Sequence, residues 1–306
     1  MEYISVKEAS EKWGITDRRV RVLCSEGRIE GITKIGRSWA IPNNAVKPID
    51  GRKIQNVKYI ELDYDFSEID ELKMKIDSYR PLPLNMTKLL HDKLVVEWTY
   101  NSNAIEGNTL TISETKVVLE GITIGGKSLV EHLEVINHKE AILFIEDLIS
   151  DEEQLTEWNL KNIHALILKE IDNDNAGKYR NENVVISGAS HIPPKYYELD
   201  YLMQKFIKEY QKEWNDYHPV VKAALVHGEF VKIHPFIDGN GRTARLILNF
   251  ELMKYGYVPI VVKNERRAEY YNALDLAHMT MNYGPFIRLI SEFLIESERL
   301  WLSVLD

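Results

Sequence analysis

The chain has 306 residues, of which 44% are hydrophobic and 28% are charged, and it contains a single cysteine, Cys24. This composition is typical of a globular protein of about two domains, and one cysteine excludes a disulfide framework and a thiolate-rich zinc site. No apolar run reaches the roughly 20 residues that span a bilayer, and the first residues lack the features of a secretory signal. We therefore expect a cytoplasmic protein that does not enter membranes.

The net charge of −9 is unevenly distributed along the chain. Residues 1–53 carry 11 basic and 7 acidic side chains, whereas the remaining 253 residues carry 27 basic and 40 acidic ones. Such an asymmetry predicts two modules with different partners. Pro48 and Gly51 lie in the polar segment 46–56, so we expect one domain over 1–53 and a second over 54–306.

The first domain has the pattern of two short helices followed by a hairpin. Ser5 and Glu8 form a capping-box signature for a helix that runs to Trp13, and Thr16 or Asp17 can cap a second helix. The segment 32–42 then reads as two strands turning near Gly36. Two helices, a tight turn and a wing are typical of a winged helix-turn-helix domain. This pattern resembles the N-terminal DNA-binding module of the MerR and excisionase type.

DNA is therefore an expected partner of residues 16–39. The basic side chains that the pattern leaves outward are Arg18, Arg19 and Arg21 on the second helix and Lys34 and Arg37 on the hairpin. Contacts from such side chains to phosphates would position the domain on DNA without specifying a sequence. The alternative is an accessory domain that docks a protein, with its arginines in solvent.

The second domain reads as mainly helical. Helical periodicity covers 69–80, 86–100 and 128–150, among others. One segment breaks the pattern, because β-branched residues in 184–187 and 191–194 flank Gly188. We expect a mainly α bundle with one β-hairpin at 184–194, plus the small N-terminal winged helix-turn-helix domain.

The most informative stretch lies between two apolar helices, 220–234 and 242–255. It contains a Gly-Asn-Gly turn, 239–241, at a helix start, where free backbone N–H groups and the helix dipole favour an anion. Arg242 and Arg245 are three residues apart, so both guanidinium groups can face the same anion. These features predict a site for a phosphate-containing substrate.

Two further side chains complete this predicted site. Asp238 offers the hard oxygen ligand that Mg²⁺ prefers when the ion also contacts substrate phosphates. His234, at the end of the preceding helix, can accept a proton near neutral pH. A base, a metal ligand and an anion site within twelve residues indicate phosphoryl- or nucleotidyl-transfer chemistry.

Residues 234–245, HPFIDGNGRTAR, match the Fic family signature HxFx(D/E)GNGRxxR at all eight specified positions. The chain is therefore similar to Fic proteins, over about residues 60–296. The resemblance implies a mostly helical transferase that moves AMP from ATP to a Ser, Thr or Tyr hydroxyl of a target protein and releases pyrophosphate. The implied roles are His234 as base, Asp238 on Mg²⁺, Phe236 as core anchor, Gly239, Asn240 and Gly241 as anion hole, and Arg242 and Arg245 on the terminal phosphates.

A second motif lies at 102–107, SNAIEG, which resembles the (S/T)xxxE(G/N) inhibition motif of the family. By that resemblance Ser102, Glu106 and Gly107 form a brake in which Glu106 pairs with Arg245 and displaces the γ-phosphate of ATP. A carboxylate at a helix end is disfavoured by the dipole and seeks a cation. Two alternatives remain. Glu106 aligns a water molecule that removes AMP from a modified protein, or it is a helix-end residue without a role in the reaction.

The resemblance also assigns a flap and a nucleoside pocket. The hairpin at 184–194 corresponds to the family's flap, which clamps a target segment by strand pairing, although a purely structural hairpin is the alternative. Tyr271, after Tyr270, resembles the segment that packs on the nucleoside of ATP, and His278 stands where many relatives have asparagine. His164 and His227 lie on apolar helical segments and are interpreted as core residues.

The sequence thus predicts a Fic-type adenylyltransferase that uses ATP and Mg²⁺ and is inhibited by Glu106. An enzymatic alternative keeps the fold but transfers UMP, phosphate or phosphocholine, or chiefly removes AMP. A non-enzymatic alternative is a DNA-binding regulator whose Fic body senses nucleotide.

Overall fold

The structure is a computed structural model that describes residues 3–13, 16–25, 29, 31–36, 38–43, 45, 64–82, 84–186 and 188–305. The chain separates into two compact units, Met1–Lys58 and Tyr59–Asp306. The segment 46–56, where the sequence predicts a linker, lies outside the described residues.

The first unit combines two helices with a three-stranded sheet. Its elements are β1 (Tyr3–Ser5), α1 (Val6–Trp13), α2 (Asp17–Ser25), β2 (Thr33–Ile35) and β3 (Ser38–Pro42). The strand order is β1-β3-β2, and both pairings are antiparallel. The two predicted helices and the hairpin are therefore confirmed, whereas β1 was not predicted.

Local sequence explains where α1 and α2 begin and what they bury. Ser5 N donates to Glu8 Oε2 at 2.7 Å and Glu8 N donates to Ser5 Oγ at 3.2 Å, which is the reciprocal capping box. Val20 and Leu23 of α2 are buried in the small core of this unit, together with Ile41 of β3.

The basic side chains of this unit divide into described and undescribed ones. Arg18, Arg21 and Lys34 are exposed, as the helical and strand patterns predict. The side chain of Arg19 and the whole of Arg37 lie outside the described residues.

All regular elements in the described part of the second unit are helices. Its helices are α3 (Ser67–Ser78), α4 (Leu84–Ile105), α5 (Ile112–Leu119), α6 (Leu129–Ser150), α7 (Glu157–Ile167), α8 (Leu199–Lys208), α9 (Pro219–Ile233), α10 (Asn240–Lys254), α11 (Arg267–Thr280) and α12 (Gly284–Leu305). Short turns of 3₁₀ helix cover Tyr196–Glu198 and Asn264–Arg266, and a π-helical turn covers Glu209–Glu213. The predicted mainly α class is confirmed. Within the described residues, none of these helices has the length and apolarity needed to cross a bilayer.

Helix α10 lies at the centre of this unit. Nearly every side chain from Asn240 to Leu252 is buried, and α10 packs against α9, α6 and α7. Lys222 of α9 and Glu251 of α10 form a buried ion pair at 2.9 Å, and the Tyr210 hydroxyl donates to Glu251 Oε2 at 2.8 Å. Packing and these satisfied charges together fix α9 and α10 against each other.

The predicted β-hairpin at 184–194 is not formed as a paired hairpin in its described residues. This segment, here called the flap, folds back through a turn in which Ala189 N donates to Ile186 O at 3.3 Å, without a strand ladder. Two amides that a ladder would use, Ser190 N and His191 N, donate instead to Asp275 Oδ1 at 2.8 and 3.1 Å. Pro193 and Pro194 have no N–H to donate.

Five histidines are held inside the second unit in their neutral form. Burial lowers the pKa of His164 and His234 to about 4 and that of His278 to about 3. Burial also lowers the pKa of His138 and His227 well below the ordinary value. Burial disfavours the imidazolium ion. Between about pH 6.5 and pH 4 these rings are therefore neutral in the folded protein, whereas histidines of the unfolded chain are protonated.

We expect the protein to lose stability as the pH falls from 6.5 towards 4. In that window the five histidines bind protons in the unfolded chain but not in the folded chain. Glu298 releases about one proton on unfolding, so the net uptake on unfolding is about four protons at pH 5. Burial raises the pKa of Glu298 to about 8, which gives it the opposite sign. Each proton changes the free energy of unfolding by about 1.4 kcal/mol per pH unit.

Urea unfolding followed by circular dichroism at pH 7, 6 and 5 measures this dependence. Above about pH 8 the histidines are neutral in both states, so their contribution to the pH dependence should vanish there. An equal free energy of unfolding at pH 7 and pH 5 would contradict the neutral, buried state of these rings.

Candidate active site

The loop between α9 and α10 carries the predicted signature, and hydrogen bonds within the loop hold its shape. Helix α9 ends at Ile233, and His234 then adopts the left-handed conformation with φ 50° and ψ 59°. The side-chain amide of Asn240 closes the loop: Phe236 N donates to its Oδ1, and its Nδ2 donates to Phe236 O, both at 3.0 Å. Asn240 therefore acts on the loop through its side chain, and only its backbone N–H remains for the predicted anion hole.

Phe236 and His164 anchor the loop to the core. Phe236 is fully buried, as predicted, and its ring stacks on that of His164 with centroids 3.6 Å apart. The neutral His164 ring accepts from Gly177 N at Nδ1 and donates from Nε2 to Asp238 O, both at 2.9 Å. His164 is buried, as the apolar pattern predicts, but it also positions the backbone at Asp238.

His234 lies at the start of this loop with an imidazole that can accept a proton. Burial, aided by the positive charge of Arg180, lowers its pKa to about 4, although Glu106 and Asp238 act in the opposite direction. His234 Nδ1 is buried and has no hydrogen-bond partner among the described residues. The ring is therefore neutral at physiological pH, which is the form a general base needs.

The start of α10 has the geometry of an anion site, and a carboxylate lies in it. Gly239, with φ 72°, precedes the helix, and a Cβ atom there would lie 3.2 Å from Ile167 Cγ2. A Cβ atom at Gly241 would lie 2.2 Å from Glu106 Oε1. Glycine at 241 thus leaves the space over the first turn of α10 open to an anionic group, where the dipole and free N–H groups favour it.

The Glu106 carboxylate pairs with Arg245. Its Nη2 donates to Glu106 Oε1 at 2.7 Å and to Ser102 O at 2.8 Å, while Nε donates to Ser102 Oγ at 3.0 Å. Burial of the guanidinium by itself lowers its pKa, but Glu106 and Tyr270 together outweigh burial, so the net pKa shift of Arg245 is upward. Ser102 and Glu106 thus lie together on Arg245, and Gly107, with φ 104°, ends the segment.

Arg242 is held by two carboxylates. Its Nη1 donates to Glu134 Oε1 of α6 at 2.8 Å, and its Nη2 donates to Asp238 Oδ2 at 3.2 Å. The Arg242 side chain is only 3% exposed, and its Nε has no partner in the described part of the chain. Both arginines of the signature therefore face the start of α10 and are each neutralised by an acidic group.

Asp238 is the most open of the predicted residues. Its side chain is 68% exposed, and its Oδ1 accepts the Gly239 N–H at 2.6 Å. Among the described residues, no group of three or more His, Cys, Asp or Glu side chains converges as a metal cage. An accessible carboxylate beside an anion site fits Mg²⁺, which commonly takes one or two carboxylates and completes its shell with substrate phosphates and water.

The residues predicted to pack on the nucleoside lie near the segment 102–107. The Tyr271 hydroxyl donates to Ile105 O at 3.5 Å, and burial, followed by the Glu106 charge, raises the pKa of this tyrosine. The Tyr270 hydroxyl lies 2.7 Å from His227 Nε2 in the core. His278 Nε2 lies 3.0 Å from Gly228 O, so this ring nitrogen is already used within the fold.

The structure thus brings all the predicted site residues to the region around the start of α10, and it adds three that the sequence analysis did not assign. Glu134, His164 and Arg180 contact the loop or its arginines from distant parts of the chain. For Arg180 and Glu134 no local pattern distinguishes these roles from surface charges. For His164, the unusual polar residue on an apolar helix face was the available signal.

The comparisons with known proteins agree with this geometry. The Fic/DOC family pattern matches residues 154–252. Proteins named protein adenylyltransferase Fic from Drosophila grimshawi and Nematostella vectensis are 38% identical over 195 residues and 36% identical over 256 residues. These alignments cover 63% and 80% of this chain but only 40% and 58% of the relatives, so the chain spans about half the length of the curated relatives it matches.

A solved structure extends the likeness over a whole relative. The crystal structure of a Fic domain containing signaling protein from Bacteroides thetaiotaomicron has a TM-score of 0.71 and 34% identity to this chain. The similarity covers 78% of this chain and 97% of that one. A likeness this complete, in a protein that also carries the signature loop, establishes that the chain belongs to the Fic/DOC family.

Proposed function

We propose that this chain transfers AMP from ATP to a hydroxyl side chain of a target protein and that Glu106 restrains the reaction. The observation that carries the proposal is the Glu106 carboxylate at the start of α10, within 2.7 Å of Arg245 Nη2. A carboxylate that occupies an anion site mimics the phosphate for which the site is built. The named adenylyltransferase relatives support AMP as the transferred group.

His234 would act as the base in this reaction. The hydroxyl oxygen attacks the α-phosphorus of ATP while its proton passes to the neutral imidazole of His234. A bond between that oxygen and the α-phosphorus forms, the bond to the bridging oxygen breaks, and pyrophosphate leaves. Catalysis of this type depends mainly on positioning and on stabilising charge.

The remaining residues would bind the donor. Arg242, Arg245 and the N–H groups of Asn240 and Gly241 would hold the β- and γ-phosphates, and Tyr271 would pack on the nucleoside. The Gly239 N–H, which the sequence also predicts in the anion hole, is already donated to Asp238 Oδ1. Asp238 would hold Mg²⁺, which when bound neutralises charge on the phosphates. Binding ATP with its γ-phosphate on Arg245 requires that Glu106 leave this guanidinium, and this competition is the proposed brake.

We expect Glu106→Gly to raise ATP-dependent modification roughly 30-fold above the wild type. A hydrogen bond between charged groups contributes about 2 kcal/mol. The variant removes the bond between Glu106 and Arg245, so the γ-phosphate no longer has to compete with it for the guanidinium. Intact mass after incubation with ATP and Mg²⁺ measures the gain of one AMP per protein on the enzyme itself.

Two matched variants make this result specific. His234→Ala in the Glu106→Gly background should abolish the gain, whereas Glu152→Gly, at an exposed glutamate with φ 56°, should leave the wild-type level. Equal incorporation by wild type and Glu106→Gly would refute the brake. A gain in mass that differs from AMP would favour a different donor.

We expect Asp238→Asn in the Glu106→Gly background to raise the Mg²⁺ concentration for half-maximal pyrophosphate release about tenfold or more. The variant removes the negative charge that a divalent ion needs from the protein. Because the Asp238 side chain is 68% exposed, the melting temperature should change little. An unchanged Mg²⁺ dependence would remove Asp238 from the metal site.

A second function, DNA binding by the first unit, is favoured by its exposed cations. Arg18 and Arg21 project from α2 and Lys34 from β2, whereas Val20 between the two arginines is buried. A helix that buries one face and exposes arginines on the other can present them to a phosphate backbone. We therefore propose that this unit binds duplex DNA chiefly through phosphates.

We expect the full chain to bind a 30-base-pair duplex with a salt-dependent affinity that Arg18→Ala with Arg21→Ala weakens. Each phosphate contact contributes about −0.9 to the slope of log affinity against log salt, so the slope should flatten by about 1.8. Fluorescence anisotropy at several salt concentrations measures this slope. Lys75→Ala with Lys88→Ala, which removes two exposed charges from the second unit, is the control. Equal slopes for both double variants would refute a role for α2.

A further inference from the structure

Arg180 joins the loop that carries His234 to both ends of the flap. Its side chain is buried, and its backbone N donates to Pro235 O at 2.9 Å. Its Nε donates to His234 O at 2.9 Å. Nη1 donates to Glu182 O at 2.8 Å, before the flap, and Nη2 donates to Pro194 O at 2.7 Å, at its end. One guanidinium therefore closes the base of the flap and contacts the carbonyl of the proposed base.

All three side-chain contacts of Arg180 go to backbone carbonyls, in the fixed fork geometry of a guanidinium. A planar guanidinium directs its donors along set directions, whereas a lysine ammonium carries three donors on a flexible stem. A hydrogen bond from a charged donor contributes about 1.5–3 kcal/mol. The contacts of Arg180 are therefore strong enough to set the geometry of the segments they join, and lysine cannot reproduce all of them.

The position of His234 depends on such support because its backbone is in an unfavourable conformation. The left-handed conformation costs a residue other than glycine about 1–2 kcal/mol. Arg180 bonds the carbonyls of His234 and Pro235 directly after this strained point. The direction of the imidazole therefore depends on the same side chain that fixes the base of the flap.

The tip of the flap is attached separately. Ser190 N and His191 N donate to Asp275 of α11, which does not contact the loop between α9 and α10 through these bonds. The described side chain Val185 is 83% exposed and Ile192 is 72% exposed, so the flap presents apolar groups to solvent. The His191 ring also joins the tip to α9, because its Nε2 lies 2.9 Å from Lys232 O. The bonds to Asp275 can therefore be removed without touching Arg180, although the tip keeps its contact with α9.

We propose that Arg180 is a positioning residue that couples the flap to His234. A target segment held against the flap would then present its hydroxyl to a base whose place is set by the same guanidinium. The inference rests on the proposed function for its catalytic meaning, whereas the mechanical coupling of flap and His234 is testable without any reaction.

The first test measures the coupling in the full chain. Arg180→Lys keeps the charge and shortens the reach. Asp275→Ala removes the two bonds to Ser190 N and His191 N at the flap tip. Arg266→Lys is a control at another multiply bonded arginine. Hydrogen exchange reports on the flap, and NMR of ¹³C-labelled histidine reports on His234, whose signal is identified by its loss in His234→Ala.

We expect Arg180→Lys to accelerate exchange at the base of the flap about tenfold or more and to shift the His234 signal. Asp275→Ala should accelerate exchange at the tip but leave the His234 signal in place. Arg266→Lys should change neither. Protection of α9 and α10 in the same exchange data verifies that each variant is folded. A faster flap with an unmoved His234 signal in Arg180→Lys would overturn the coupling.

The second test connects the coupling to the reaction in the Glu106→Gly background. Arg180→Lys should lower kcat for pyrophosphate release about tenfold or more while KM for ATP stays within about twofold, since Arg180 contacts no group proposed to bind ATP. A raised KM with unchanged kcat would overturn the positioning role. If Glu106→Gly itself releases no pyrophosphate, the proposed function fails, and the first test still decides the coupling.

Discussion

The site depends on one loop conformation, which the Asn240 side chain imposes by pairing with both backbone groups of Phe236. Because α9 and α10 are buried and joined by the Lys222–Glu251 pair, the six residues between them must reverse direction within fixed ends. Within this reversal His234 adopts the left-handed conformation. Burial of Phe236 and the bonds of His164 and Arg180 compensate for that strain, so the loop is organised before any substrate arrives.

Electrostatics at the start of α10 follow from the same geometry. Arg242 and Arg245 are buried, and a buried guanidinium without a counter-charge is strongly destabilising. Glu134 and Glu106 supply that charge at 2.8 and 2.7 Å. Under the proposed function, the contact that stabilises the protein without substrate would be the contact that ATP has to displace. The proposed inhibition would then need no separate device, because it would be the ordinary neutralisation of a buried guanidinium in the absence of phosphate.

Features whose residues lie close together in the sequence were predicted, whereas features that depend on contacts between distant parts of the chain were missed. The site loop was predictable because base, anion turn and arginines lie within twelve consecutive residues. Glu134 and Arg180 could not be assigned, since each acts only through contacts made across the folded chain. The flap was predicted as a hairpin from its β-branched residues, but Asp275 takes the amides of Ser190 and His191 that a ladder would use.

The groups that support the loop and the carboxylate proposed to restrain the reaction come from different elements, so the proposed inhibition can be altered without removing the supports of the loop. His164 of α7 and Arg180 after it hold the backbone, whereas Glu106 follows the end of α4, where Gly107 with φ 104° terminates the helix. The Glu106 side chain is 30% exposed, and Arg245 keeps two bonds to Ser102 that do not involve it. Under the proposed function, exchange of this carboxylate for a phosphate would therefore call for movement at the end of α4. The core around α10 and the loop it carries would stay fixed during that exchange.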